Sequence, residues 1–388
     1  MKHYYYCIIV FIIIFLCNCK KKTNVTIENN LENIKLTSRI DSINNIENNI
    51  FPIYIDKDKE YEKKRLTIQE IGKVEYIKLE TNDNCLISAS FKLIGLYLTD
   101  KEIFLSTDNS ILRFNKDGKF INSIGKRGQG PGEIKLLSDY IIDESKKEIY
   151  IWDGSTQNLK SYTYNGVLKN AIRLETYGEN LGTICDSLII CTNYFGNNQP
   201  MAFLSSLNNG KTVKALLPSQ TIKDETGLSM KFYNKYTENL LYNNKVIYQN
   251  FINDTIYTID KKDFSVSLRY IQLPPNTGLD GKNSMPFVSF ETDRYTYIII
   301  NKNPPLSHNF IIDKKENKIY RGFIGDTELR RSITPINTNK DNVIADLYDA
   351  STLTDYLSKN QLRGSLKEIA ETLNDEDNPV LMIATIDF

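Results

Sequence analysis

Histidine is nearly missing from this chain: there are two, His3 and His308. The first lies in a leader expected to be removed, and one remaining imidazole cannot build a multi-histidine zinc site. A Ser-His-Asp triad would have to use His308, and no nucleophile-elbow motif accompanies it. An excess of one charge is missing too. Lys and Arg total 48 and Asp and Glu total 48, so the net charge is zero at neutral pH. A nucleic-acid binder needs a basic patch, so nucleic acid is not an expected partner. Glycine (19) and proline (11) are scarce in 388 residues while Tyr (24) and Phe (17) are plentiful, which fits neither a collagen-like nor a disordered chain. Cysteine is sparse in the body of the chain. Cys7, Cys17 and Cys19 crowd the first nineteen positions. Cys85, Cys185 and Cys191 are odd in number and lack Cys-x-x-Cys spacing, so neither a zinc knuckle nor a disulfide framework is indicated. With Asp186-Ser187 as a turn, Cys185 and Cys191 do not fall opposite each other, and buried free thiols are the expectation. No catalytic residue set, metal site or cofactor is indicated.

What is present begins with an address. Residues 1–18 read MKHYYYCIIVFIIIFLCN, with Lys2 before an eleven-residue apolar run over 7–17. That length suits a secretory signal core and falls short of the about 20 residues of a membrane span. The run ends in Leu16-Cys17-Asn18-Cys19, which looks like a bacterial lipobox with Cys19 as the lipidated residue. Asn18 departs from the small residue preferred there. Lys20 follows, not a retention Asp, so the resemblance implies an outer-membrane lipoprotein, periplasmic or surface-facing. Residues 19–70 are expected to form the lipidated cysteine and a polar, Asn-rich tether.

The remainder, 71–388, carries a hidden repeat. An apolar residue, two positions and another apolar residue precede a polar turn in ILRFNKDG (111–118), LKSYTYNG (159–166), LSSLNNG (204–210) and IYTIDKKD (256–263), and FIIDKKE (310–316) follows the same plan. The turns step by 48, 44, 53 and 53 residues. Asp-Gly and Asn-Gly between apolar runs are strong hairpin signals, because both residues accept positive φ. A second hairpin precedes each turn, as in IIDESKKEIYIW (141–152) and LLYNNKVIY (240–248). Each unit therefore holds four short strands, a to d, and four strands per about 50 residues is the sign of a propeller blade. The chain has room for six. KVEYIKLE (73–80) and PVLMIATI (379–386) alternate like strands, and their pairing would close the ring without an open edge. The expected fold is an all-β, six-bladed propeller of four-stranded blades. A short helical insertion is expected between strands b and c of the last blade. There Ser365 and Glu368 suggest a capping box for a helix over 365–373, with a weaker helix over 349–359.

IGKRGQGPGE (124–133), a strand ending in Asp143, EIYIWD (148–153) and an Asn-Gly turn look like an NHL-type blade. With the lipobox and DNPVLMI (377–383), the chain resembles the six-bladed β-propeller lipoproteins of Gram-negative bacteria. The resemblance implies fold and envelope location, and brings no catalytic residues with it.

The glycines of 125–132, beside Lys126 and Arg127, suggest either an anion-binding nest or a crossover between blades that needs unusual φ. The b–c and d–a connections share one end of the ring. They are rich in amide, hydroxyl and aromatic side chains, which suits a glycan or a peptide or protein partner. The residues expected there are Arg127, Trp152, Asp153, Tyr194, Asn250 and His308. The function read from this pattern is a lipid-anchored, non-enzymatic binding or assembly scaffold of the cell envelope. The alternative is a metal-dependent propeller hydrolase, lactonase or lyase with its site in the central channel. One mature histidine counts against the lyase kind.

Overall fold

The computed structural model describes residues 51–87, 95–108, 110–193, 199–219, 240–249, 254–275, 285–301 and 307–386. Alternating apolar residues between tight turns fold into six antiparallel blades. Blades one to five take their four strands in chain order over 96–124, 137–173, 180–217, 240–273 and 285–326. Blade six is composite. Ile336–Asn337, Val343–Tyr348 and Val380–Ile386 supply strands a to c, and Gly72–Lys78 supplies strand d. The register runs from Val380 opposite Lys78 to Ile386 opposite Gly72, so the two chain ends close the ring as the alternation implied.

The repeated c–d turns work as their sequences require. Gly118, Gly166 and Gly210 have φ of 82°, 82° and 72°. A Cβ at Gly118 would stand 2.2 Å from the Lys78 carbonyl oxygen, and one at Gly210 2.0 Å from that of Arg173. These two turns therefore need glycine for close approach to the preceding blade as well as for φ. In blades four and five Phe264 and Asn317 adopt the left-handed conformation instead.

The core consists of apolar clusters between neighbouring blades. Trp152 and Leu159 of blade two meet Leu181 and Phe203 of blade three. Ala345 and Leu381 of blade six meet Leu96 and Leu105 of blade one, which completes the circuit. Cys85, Cys185 and Cys191 are free, with Cys191 opposite Leu181 and Cys185 opposite Leu188.

Two features differ from the sequence reading. The stretch from 51 to 70 is not all tether: Ile53–Asp56 adds in parallel to the outer strand of blade four, and Lys63–Thr67 to that of blade five. A parallel strand added to an outer edge has no hairpin partner in sequence, so neither the turn nor the spacing announces it. The second is the helix cap. Helix α1 is Ile68–Ile71; α2, Ala350–Ser358, and α3, Gly364–Ala370, form the insertion between strands b and c of blade six. The α3 N-terminus is capped from outside the helix. Glu328, on the crossover from blade five, accepts from the Leu366 N–H at 2.8 Å and from the Ser365 hydroxyl at 3.3 Å. Leu353, Leu362 and Leu366 bury themselves in the cluster shared by blades five and six.

Candidate functional site

Antiparallel order places all b–c and d–a connections at one end of the propeller. The a–b hairpins at the other end are tight, as from Cys185 to Leu188 or from Tyr242 to Lys245. The d–a connections span from Ile124 to Leu137 and from Leu217 to Leu240, and the b–c connection of blade six spans Tyr348 to Val380. Sequence therefore varies at one end and repeats at the other.

The best-defined part of the variable end is the crossover from blade one to blade two. Asp153 ends strand b of blade two and is fully buried. Its carboxylate accepts from the N–H groups of Lys135 (3.1 Å) and Leu136 (3.3 Å), from Ser155 Oγ (3.1 Å) and from Lys160 Nζ (3.1 Å). Burial alone would push this carboxyl up; the Lys135 N–H and the Lys160 ammonium outweigh it and hold it below the usual range. Asp153 thus ties the crossover to the blade. The glycine loop is likewise turned inward on its own chain. Gly125 and Gly132 have φ of 72° and 78°. The Gly130 N–H donates to Glu133 Oε2 at 2.8 Å, and a Cβ at Gly128 would stand 1.9 Å from that same oxygen. The concavity that could cradle an anion holds the Glu133 carboxylate, which favours the crossover reading.

Arg127 is exposed on this loop, bridging to Ile134. Trp152 is placed otherwise than a loop aromatic: it is 0% exposed, packed near Tyr177 with ring centroids 6.0 Å apart. Its Nε1 has no hydrogen-bond partner. His308 lies within strand c of blade five, where Nδ1 accepts from the Arg321 guanidinium. Arg321 also donates to the Lys57 carbonyl at 2.8 Å, so the imidazole belongs to the clamp on the N-terminal segment. Tyr194, Asn250 and Cys19 lie outside the described residues. Arg127 and Asp153 are brought to one crossover, whereas His308 sits three blades away.

Sequence reasoning missed a second class of residue, the polar clamps between blades. Leu-Glu-Thr occurs at 79–81 and again at 174–176. The Glu80 N–H donates to the Gly118 carbonyl at 2.8 Å while its carboxylate accepts from the Phe120 N–H at 3.0 Å. Glu175 repeats both bonds on Gly210 and Thr212, each at 2.9 Å. The recurring tripeptide was the available signal. Among the described residues no three His, Cys, Asp or Glu side chains gather as a metal-binding set.

Six four-stranded blades closed by the two chain ends define a six-bladed β-propeller. The chain belongs to the DUF4934 family, a domain of unknown function, which matches residues 52–385. That span starts where the structure places the first covering strand. No curated protein matches the sequence. Among solved structures, a Bacteroides fragilis protein described as exported is similar with a TM-score of 0.67 at 17% identity, over 86% of this chain and 99% of that one. A DUF4221 member from Bacteroides vulgatus gives 0.50 at 11% identity, over 82% and 97%. At these identities the likeness is one of fold. No helix among the described residues is long and apolar enough to cross a membrane.

Proposed function

We propose that the protein is a lipid-anchored propeller of the cell envelope, held through Cys19 at the outer membrane, and that it works as a non-enzymatic binding or assembly scaffold. Its working end is the one where the b–c and d–a connections gather, and its ligand is a glycan or a peptide or protein. The observation that carries this reading is the difference between the two ends: hairpins of fixed, repeated geometry at one, connections of varied length and polar sequence at the other. Rigid scaffolds commonly place recognition on such connections. The lipobox-like ending of the apolar run and the exported Bacteroides fragilis neighbour support the location. Exposed Arg127 is the side chain of this end chosen for substitution, since Trp152 and Asp153 hold the blade together.

Two variants test the proposal in intact envelopes. Cys19→Ala should leave uncleaved precursor and lose detergent partitioning; normal processing and release would remove the anchor from the reading. Arg127→Glu should weaken capture of cross-linked envelope partners with a change in stability within about 0.5 kcal/mol, as for an exposed position. Undiminished capture would move the working surface away from this crossover.

A further inference from the structure

The outer strands of the blades are not treated alike. In blades four and five they are covered by the parallel strands Ile53–Asp56 and Lys63–Thr67. The edge groups are satisfied there: the Lys57 N–H donates to the Leu273 carbonyl at 2.8 Å, and the Arg321 N–H to the Glu62 carbonyl at 2.9 Å. In blades one to three and in blade six the outer strand ends its sheet, with no strand beyond it among the described residues. An uncovered edge is a template for another strand.

Blade two has the barest edge. Leu168 to Ala171 are exposed in succession, a longer run than Val213 to Ala215 in blade three, and blade one has no such run. Val167, at its start, is 62% exposed. The charged residues from 167 to 173 are Lys169, whose ammonium is paired with the Glu148 carboxylate, and Arg173, with no Asp or Glu in the segment itself. The ladder fixes which amides face out. The Leu174 N–H donates inward to the Gln157 carbonyl, and Ala171 stands opposite Lys160. Alternation then turns the Ala171 N–H away from its neighbour, and Asn170 Oδ1 holds it at 2.9 Å. A side chain occupies the place that a strand takes in blades four and five.

We propose that the outer strand of blade two, Leu168–Arg173, is a strand-addition site for an extended peptide segment in which apolar residues alternate with Asp or Glu. The segment adds in parallel, as this chain's own covering strands do. Its main-chain carbonyls replace Asn170 on the Ala171 N–H, its apolar side chains cover Val167 and Leu168, and a carboxylate meets Arg173. This site is on the blade side and stands independently of the end described above.

The test uses the full chain and a fluorescent octapeptide of alternating valine and glutamate, read by anisotropy. The expected result is saturable binding that weakens at least about tenfold in Ala171→Pro, whose lost N–H takes no part in the ladder. Arg173→Glu should weaken binding similarly and should gain affinity for the octapeptide with lysine in place of glutamate. No binding to the unmodified chain, or equal binding to Ala171→Pro, overturns the proposal. If that variant does not fold, undiminished binding to Arg173→Glu overturns it.

Discussion

The seam between blades four and five buries an anion between two cations, whereas the seam between blades five and six buries carboxyls among neutral donors. In the first, Glu291 is fully buried, with Arg269 Nε donating at 2.8 Å and Lys314 Nζ at 2.8 Å. Phe51 lies 4.4 Å from the Arg269 guanidinium and Tyr242 4.9 Å from the Lys314 ammonium. Burial would raise the Glu291 carboxyl, but the two cations outweigh it and hold it at about 2. In the second, Asp326 accepts from the hydroxyls of Tyr76 (2.9 Å) and Tyr348 (2.7 Å) and from Gln69 Nε2 (2.7 Å). Nearby Asp346 accepts from the Thr334 and Leu347 N–H groups at 2.9 and 2.8 Å. Burial dominates there, and Arg331 offsets only part of it, so Asp346 is pushed up to about 7. The same ring thus contains one buried carboxyl fixed as an anion and another poised near neutrality. The difference lies in counter-charge, since both are almost fully buried.

The comparison can be broken outright at the second seam. Deleting residues 381–388 removes most of strand c of blade six, including Leu381, Met382 and Ala384, each 0% exposed. At about 1.5–3 kcal/mol for each large buried side chain, before the lost ladder is counted, the loss rivals the about 5–15 kcal/mol that holds a domain folded. The truncated chain is expected to show no cooperative melting transition. An unchanged melting temperature would mean that Gly72–Lys78 and Val380–Ile386 do not close the ring. The first seam is tested more gently. Arg269→Met leaves Glu291 with Lys314 alone, and burial already lowers that ammonium's affinity for its proton. Removing one partner of a buried ion group costs about 3–5 kcal/mol, which urea unfolding would register directly. A loss under about 1 kcal/mol would show that Lys314 suffices.

Much of the fold was legible because blade periodicity is written in local signals. The c–d turns of the first three blades end on Gly118, Gly166 and Gly210, and the glycine conformation is required at each. The closing strands were legible for the same reason, as alternation survives in both. Relations between distant segments were not. The strand Ile53–Asp56 has no turn to announce its partner at 270–273, and the cap of α3 comes from Glu328 rather than from the local Ser-x-x-Glu pattern. Of the candidate site, Arg127 stands exposed on its loop. Trp152 stands one residue before the end of a strand, beside a polar loop, and sequence cannot say that its ring turns into the seam with blade three. Asp153 read as a ligand contact and serves as an anchor, because a carboxylate at a strand end finds the crossover's N–H groups before it finds solvent.

The smallest expected effect separates the two seams by pH. Asp346 has a folded pKa of about 7, against an ordinary value of 3.8. The folded state therefore holds a proton that the unfolded state has released between about pH 4 and pH 7. This stabilisation is complete below pH 4 and is lost as pH rises through 7, amounting to at most about 4 kcal/mol. Asp139, also raised to about 7 by burial, contributes in the same sense. Glu291 works in the opposite sense: its contribution is present above its ordinary value of 4.5 and is lost as pH falls toward 2. Stability from these groups should peak near pH 4–5 and decline toward pH 8. Urea midpoints taken at pH 5 and pH 8 measure the decline. Asp346→Asn keeps the shape and the Leu347 and Thr334 neighbours but cannot ionise, so about half of the decline should vanish, leaving the share of Asp139, while stability at pH 5 changes by about 1 kcal/mol. An equally steep decline in that variant would move the titrating group away from the seam between blades five and six. The contrast between the two seams would then rest on Glu291 alone.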